Sequence, residues 1–349
     1  MSNRGIEMRC VVGMSGGVDS STSAALMKDS GFEVIGCTFK MFEAEKSNAA
    51  IANAKKVADF LKIDHDVVDC VTEFKAFVMD YFVQSYENGS TPNPCVMCNK
   101  FIKFKQLNDF RKKCNADILV TGHYAQLKKT ATRVELFQAE ELKKDQSYFL
   151  YGVDREILMV AEFPLGGHAK SHTRELARQF GIHVAEHPES QDICFILHND
   201  YMTFVKKYSP REYAVGDIVD QFGNVLGKHS GIINYTMGQR KGLGLSGGPF
   251  FVCGLDIKGN KVIVSDKDGV KVEKIFLKDV KFLNEEYLGE CEVKIRSVNK
   301  KIPACIAKIA DTYCVELFQS EYGVAREQHC VFYNLNMVLG GGVICDTSP

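Results

Sequence analysis

The chain reads as a doubly wound parallel α/β domain followed by a small β-rich domain and a C-terminal β-barrel. Two observations predict this. Up to about Ala125, short apolar runs alternate with stretches of helical spacing, the rhythm in which helices cover both faces of a parallel sheet. From about Val215 the texture changes to short alternating strands broken by Gly, Asp and Asn, the pattern of an all-β half. A length of 349 residues exceeds what one core normally supports. The changes of texture place three domains, at 1–200, 201–270 and 271–349.

Each element follows from its own stretch. "RCVVGM" (9–14) is the first strand, followed by a helix from about Asp19. "FEVIGCTF" (32–39) is the second strand, with a helix from about Ser47 after it, and "HDVVDC" (65–70) the third, with a helix from about Thr72. "ADILVTG" (116–122) is the fourth. "HTRELARQFGI" (172–182) and "DYMTFVKKY" (200–208) carry helical spacing around the loop "EHPESQDICFI". "GDIVDQFGNVLG" and "FFVCGLDIKGNKVIVSD" supply the strands of the small domain, which ends at about Asp268. "EVKIRS", "CVELFQ" and "CVFYNLNMVLGGGVICD" belong to the barrel.

Composition narrows the function classes. Hydrophobic residues make up 45% and charged residues 25%, and no apolar stretch approaches the roughly 20 residues needed to cross a bilayer. The opening "MSNRGIEMRC" has no apolar signal core, so a cytoplasmic protein with no membrane partner is expected. Thirteen scattered cysteines, an odd number, suit a reducing compartment. The net charge of −1 gives no overall pull toward nucleic acid. Any such pull must come from local clusters such as "NKFIKFK" (99–105), "RKK" (111–113), Lys143 with Lys144, and "GQRKG" (238–242). Most such clusters are merely solvated faces.

The first motif is "GMSGGVDSS", Gly13 to Ser21. A Gly-rich turn between strand and helix gathers backbone N–H groups and the positive helix end around one point, which suits phosphate. The plainer reading is a tight turn with Ser20 or Ser21 as helix cap. The turn has no Lys and fits neither G-x-x-x-x-G-K-[ST] nor G-x-G-x-x-G. "SGGVDS" (15–20) instead resembles the loop of ATP pyrophosphatases, which holds the β and γ phosphates as one leaving group. The adenine is expected over the carboxyl ends of the strands, near Phe39 and Gly122.

The second motif is "STPNPCVMCNKFIKF" (90–104). Two prolines bracket Asn93 and stiffen a loop before a helix expected near Asn99, so Cys95 and Cys98 are expected to face solvent. A C-x-x-C pair suggests zinc, an iron–sulfur site or redox chemistry. For zinc, Cys114 and His123 would have to complete the set, yet Cys114 ends a helix where an ordinary buried thiol would sit and no second C-x-x-C exists. At a helix N-terminus Cys98 is expected to favour the thiolate. Cys194, beside Ile193 and Phe195, would by itself be read as a core cysteine.

Together "GMSGGVDSS", "TPNPCVMCNKFIKF", "TGHYA", "KKDQSYFLY", "FPLGGHAK", "ESQDICFI" and "YTMGQRKGLGL" resemble the bacterial tRNA-specific 2-thiouridylase (MnmA) family, from about Arg9 into the barrel. The resemblance implies an α/β domain of the adenine nucleotide alpha hydrolase type. It implies 2-thiolation of the wobble uridine of tRNA, whose C2 oxygen is adenylated by ATP, with Mg2+, and then replaced by sulfur. Gly13, Met14, Ser15, Gly16, Gly17, Val18, Asp19 and Ser20 match its ATP loop, and Phe39 and Gly122 its other nucleotide contacts. Cys98 matches the nucleophile and Cys194 the cysteine that carries a persulfide, supplied by a cysteine desulfurase or relay protein. The pair ends the reaction as a disulfide. Asn93, Pro94 and Cys95 fall where the family meets the flipped base. His123, Lys144, Asp145, Gln146, Arg296, Ser297 and Gln328 match tRNA-contacting positions.

One departure stands out. Familiar members carry an acidic residue where this chain has Cys95, and a thiol with a reference pKa of about 8.5 is a poor general base. Cys95, Cys98 and Cys194 together also suit a [4Fe–4S] cluster with one open iron, as in related tRNA thiolases. Two other function classes compete. A ligase that forms amides would share the loop but has no need of the thiols. A silent RNA-binding protein would keep the basic clusters while being free to lose Asp19 or Cys98.

Overall fold

The protein is described here from a computed structural model covering residues 8–185, 193–196, 200–298 and 300–349. The chain divides into two compact units, 1–78 with 95–191 and 336–338, and 79–94 with 192–335 and 339–349.

The first unit is built on a five-stranded parallel sheet. Its strands include β1 (Arg9–Gly13), β2 (Glu33–Lys40), β3 (Asp64–Asp69) and β4 (Ile118–Val120). The hairpin β5 (Ala125–Lys129) and β6 (Val134–Gln138) follows, then β7 (Ala161–Glu162). The sheet order is β3-β2-β1-β4-β7. Cys10, Val11 and Val12 of the central strand are wholly buried, as a parallel strand covered on both faces must be, and this is why its sequence is apolar without alternation. The edge strand β3, "DHDVVD", is largely exposed, and its carboxylates blunt an edge that would otherwise recruit further strands.

Helix α1 (Val18–Asp29) packs with α2 (Glu45–Leu61) in a core holding Val12, Ala24, Ala54, Val57, Ala58 and Val184. No apolar stripe marks α1, because small side chains bury it nearly all round. Ser21, Thr22 and Ser23 turn their hydroxyls back to the carbonyls of Gly17, Val18 and Asp19 at 2.8, 2.8 and 3.0 Å, so the buried oxygens are satisfied within the helix. The expected helix after β3 begins as α3 (Val71–Phe74) and continues through a π-helical turn, Lys75–Met79. The β5–β6 hairpin was not expected from the sequence. Met337 and Val338 pair with its Phe137 and Leu136.

The second unit contains α4 (Asp80–Glu87), a four-stranded sheet and a barrel. From the last residue of the 79–94 segment into the first unit, α5 (Pro94–Cys98), a π-helical turn (Asn99–Lys103) and α6 (Phe104–Lys113) form one helical run, followed by α7 (Arg155–Met159) and α8 (Lys170–Gln179). The last helix, α9 (Tyr201–Tyr208), belongs to the second unit and stacks Tyr201 on Tyr86 of α4 at 4.8 Å. The small sheet has the order β10 (Phe251–Asp256), β11 (Lys261–Ser265), β8 (Gly216–Val219), β9 (Val225–His229). The barrel strands are β12 (Lys271–Phe282), β13 (Gly289–Lys294), β14 (Ile302–Ile309), β15 (Thr312–Tyr322), β16 (His329–Asn334) and β17 (Met337–Ser348). Their order is β12-β15-β14-β13-β16-β17, closed by pairing of β17 with β12. Closure removes open edges around a core that includes Ile275, Val293, Ile306, Val315 and Phe332.

Candidate active site

The loop after β1 is stitched to its neighbour strand. Met14 N–H donates to Cys37 O at 2.7 Å, and the buried Thr38 hydroxyl donates to Met14 O at 2.8 Å. Gly16 has φ +75°, and a Cβ there would lie 2.4 Å from Ala50 O, so only glycine fits the turn. The helix cap is Gly17, with no side-chain cap. Ser20 and Ser21 therefore do not cap it. Both hydroxyls fold back on Gly17 O, and Ser20 Oγ accepts Ser15 N–H at 3.0 Å. The N–H groups of Gly16, Gly17, Val18, Asp19 and Ser20 have no acceptor among the described residues. Five open amides at a positive helix end form an anion cradle.

Asp19 stands at the mouth of that cradle. Lys170 Nζ donates to its Oδ1 and Oδ2 at 2.6 and 2.8 Å, and the Tyr124 hydroxyl donates to Oδ1 at 2.9 Å. Tyr124 is itself 2.9 Å from the Thr173 hydroxyl. Lys170 is only 7% exposed, so the carboxylate compensates a cation that burial alone would not tolerate. The segment leading to Lys170 crosses β5 at Gly166, where a Cβ would lie 1.8 Å from Ala125 O.

Phe39 is half-buried at the carboxyl end of β2, and Gly122 follows β4. A Cβ on Gly122 would lie 2.8 Å from both Asp19 C and Ser20 N, so this glycine abuts the phosphate loop itself. The order β3-β2-β1-β4-β7 reverses direction between β1 and β4, the place where open α/β sheets take ligands.

The thiol segment corrects two expectations. Its helix begins at Pro94 and not near Asn99; proline suits a first helical turn because its missing N–H would have no partner there. Cys95 is exposed as expected, but Cys98 is buried at 6% exposure. Cys98 is therefore not at a helix N-terminus but at the end of α5, where the run continues into the π turn and the dipole has faded. Beside it, buried Asn99 donates to Phe149 O at 3.2 Å while its Oδ1 has no partner among the described residues. Cys194 is exposed, contrary to the core reading, and the buried Phe195 and Ile196 follow it. Cys114 is half-buried at the C-cap of α6. Among the described residues no three His, Cys, Asp or Glu side chains gather to hold a metal ion.

Other predicted residues are partly spent on structure. The His123 ring lies 5.6 Å from that of Phe104 and 2.8 Å from the Thr121 hydroxyl. Burial, with Lys103 adding to it, pushes its pKa down to about 3. Asp145 accepts from Gln138, Ala139 and Ser147, and Gln146 Oε1 accepts Tyr124 N–H at 2.9 Å. Lys144 is half-buried in the same turn. Arg296 donates to Gly323 O at 2.7 Å, and Ser297 beside it is half-buried. Gln328 Nε2 donates to the carbonyls of Thr91 and Pro92 at 2.8 and 3.3 Å, and Thr91 N–H donates to Arg326 O at 3.0 Å. The barrel thus holds the loop that leads into Asn93.

Three family models match in order: a tRNA methyl transferase HUP domain over residues 8–198, a tRNA methyl transferase PRC-barrel domain over 202–266, and an aminomethyltransferase beta-barrel domain over 272–344. The tRNA-specific 2-thiouridylase MnmA of Rickettsia typhi is 43% identical, over 96% of this chain and 98% of that protein. That of Parvibaculum lavamentivorans is 40% identical, over 98% and 92%. This chain belongs to the tRNA-specific 2-thiouridylase family.

In this 2-thiouridylase, sequence reasoning missed Lys170 and Tyr124. Both lie inside quoted motifs, "FPLGGHAK" and "TGHYA". The available signal was a lysine three residues after a pair of glycines, at the first residue of a helix, a place where a surface lysine has no need of so constrained an approach. Among the described residues no helix is long and apolar enough to cross a membrane.

Proposed function

We propose that this chain replaces the C2 oxygen of the wobble uridine of tRNA by sulfur while splitting ATP into AMP and pyrophosphate, in the cytoplasm. The observation that carries the reading is the set of open amides at Gly16–Ser20, one of whose residues, Asp19, is paired with the buried Lys170. A leaving pyrophosphate needs donors aimed where its charge develops, and this loop offers them without a phosphate-binding lysine of its own. Asp19 would hold the magnesium that accompanies ATP, which would neutralise charge on the leaving pyrophosphate, and the Lys170 ammonium beside it would donate to phosphate. Phe39 and Gly122 border the nucleotide. The proposed working parts are 1–200 for adenylation, with 201–270 and 271–349 completing the grip on tRNA.

Adenylation turns the C2 oxygen, a poor leaving group, into AMP. The terminal sulfur of a Cys194 persulfide then attacks C2, and AMP leaves with the oxygen. Cys98 thiolate attacks Cys194 Sγ, so the sulfur on C2 departs with the bonding pair as the thiocarbonyl, and a Cys98–Cys194 disulfide remains. An external thiol reduces it before the next turnover, and a cysteine desulfurase or relay protein restores the persulfide. Exposure of Cys194 supports delivery from such a donor, while burial of Cys98 keeps solvent oxidants from it. Asn93, Pro94 and Cys95 meet the extruded base, and His123, Lys144, Asp145, Gln146, Arg296, Ser297 and Gln328 border the tRNA.

Mass spectrometry of nucleosides in tRNA from cells lacking the protein tests this reading. Loss of wobble 2-thiouridine is expected; unchanged 2-thiouridine would overturn it. Pyrophosphate exchange that proceeds equally well without tRNA would point to an amide-forming ligase instead.

A further inference from the structure

We propose that Phe77 and Phe101 form a stacking platform for the unpaired nucleobase that neighbours the target uridine in the anticodon loop. The proposal rests on the tRNA reading above and adds a contact to it.

Phe77 is the central residue of the π turn Lys75–Met79, and Phe101 the central residue of the π turn Asn99–Lys103. A π turn widens the helix and changes the direction of the side chains it carries; such turns are rare and concentrate at functional sites. Here two of them, from separate segments of the same unit, bring two phenyl rings to 5.1 Å with planes 16° apart. The pair is not core. Phe77 is 44% exposed, and Lys75 and Ala76 beside it are exposed too.

Charge identifies the occupant. Lys100 Nζ lies 4.9 Å above the Phe101 ring, and Lys103 and Lys105 follow on the same run. From Asn88 to Asn108 the sequence has no Asp or Glu; the carboxylates bordering the other turn are Glu73 and Asp80. An apolar protein partner has no use for the cations, whereas a nucleotide uses both features, its base on the exposed Phe77 ring that Phe101 backs and its phosphate on an ammonium group. The position also fits. Phe101 follows Cys98 by three residues on one helical run, close to one turn further along, so the platform belongs to the same segment as the nucleophile.

The test is binding of an anticodon stem–loop RNA to the full chain, compared with the same RNA carrying an abasic site beside the uridine. Phe77→Ala and Phe101→Ala are each expected to raise Kd for the intact RNA about tenfold, and to change Kd for the abasic RNA less than about twofold. Phe77→Tyr is expected to bind the intact RNA like the parent. Exposed Phe77 makes its variants independent of any loss of folding in Phe101→Ala. Equal losses on both RNAs, or no loss in Phe77→Ala, would overturn the platform. Failure of the unaltered protein to bind the intact RNA would remove the tRNA reading and the platform together.

Discussion

Lys170 Nζ bridges both carboxylate oxygens of Asp19, at 2.6 and 2.8 Å, across 151 residues of sequence. The lysine is nearly buried and the carboxylate about one-third exposed, so a residue of the loop after β1 holds the cation in place.

Lys170→Met removes that cation and leaves Asp19 uncompensated. Pyrophosphate exchange is expected to fall by about 100-fold or more, with a stability loss of about 2 kcal/mol, below the value for a fully buried pair because Asp19 still meets water. Exchange kinetics and urea midpoints separate the two effects. Exchange at the parental rate would take Lys170 out of the chemistry.

Gly122→Ala places a Cβ 2.8 Å from two backbone atoms of Asp19 and Ser20, which cannot swing aside. A loss of roughly 1–3 kcal/mol and a raised KM for ATP are expected. Gly167→Ala, where nothing lies within 4 Å, is the matching control and leaves both unchanged.

Cys98→Ala and Cys194→Ala are each expected to abolish 2-thiolation while pyrophosphate exchange survives, because neither thiol belongs to the phosphate loop. Cys95→Ala only slows turnover. Cys95→Asp puts in place the carboxylate that the family resemblance implies and removes a thiol that a cluster would need; thiolation retained in iron-free protein is expected. Loss of activity together with loss of bound iron from anaerobically prepared protein would replace the persulfide route by a cluster.

The folded-state pKa of His123 is about 3 against an ordinary 6.5, with burial the main cause. Between those values the unfolded chain binds a proton that the folded chain does not, so stability rises with pH there. The contribution is fully present above pH 6.5 and is lost as pH falls toward 3, at up to about 1 kcal/mol per pH unit. Urea midpoints across this range are expected to depend less on pH in His123→Phe than in the parent.

Some of this architecture was legible in the residues and some was not, for physical reasons. "RCVVG" announces a central strand because a strand buried on both faces needs only apolar residues. The phosphate loop is legible because backbone geometry demands its glycines. The Asp19–Lys170 pair is not, since no local pattern reports a contact made by chain topology. Burial of Cys98 escaped because Pro94 reads equally as a loop stiffener and as a first helical residue. Nor does 3.6-residue spacing foretell the π turns, which depart from it by a single residue. The β5–β6 hairpin hides because the polar "TATR" between its strands resembles any surface loop.

Gln328 and Arg326 hold Thr91 and Pro92 from the far end of the chain. In the order of synthesis, the loop that leads into Asn93 leaves the ribosome long before its clamp exists. A chain cut short ahead of Arg326 still carries the phosphate cradle but lacks the Arg326 and Gln328 contacts that hold the approach to Asn93. Such a fragment is expected to hold ATP without presenting it to a uridine, so competence for sulfur transfer arrives only with the last strands of the barrel.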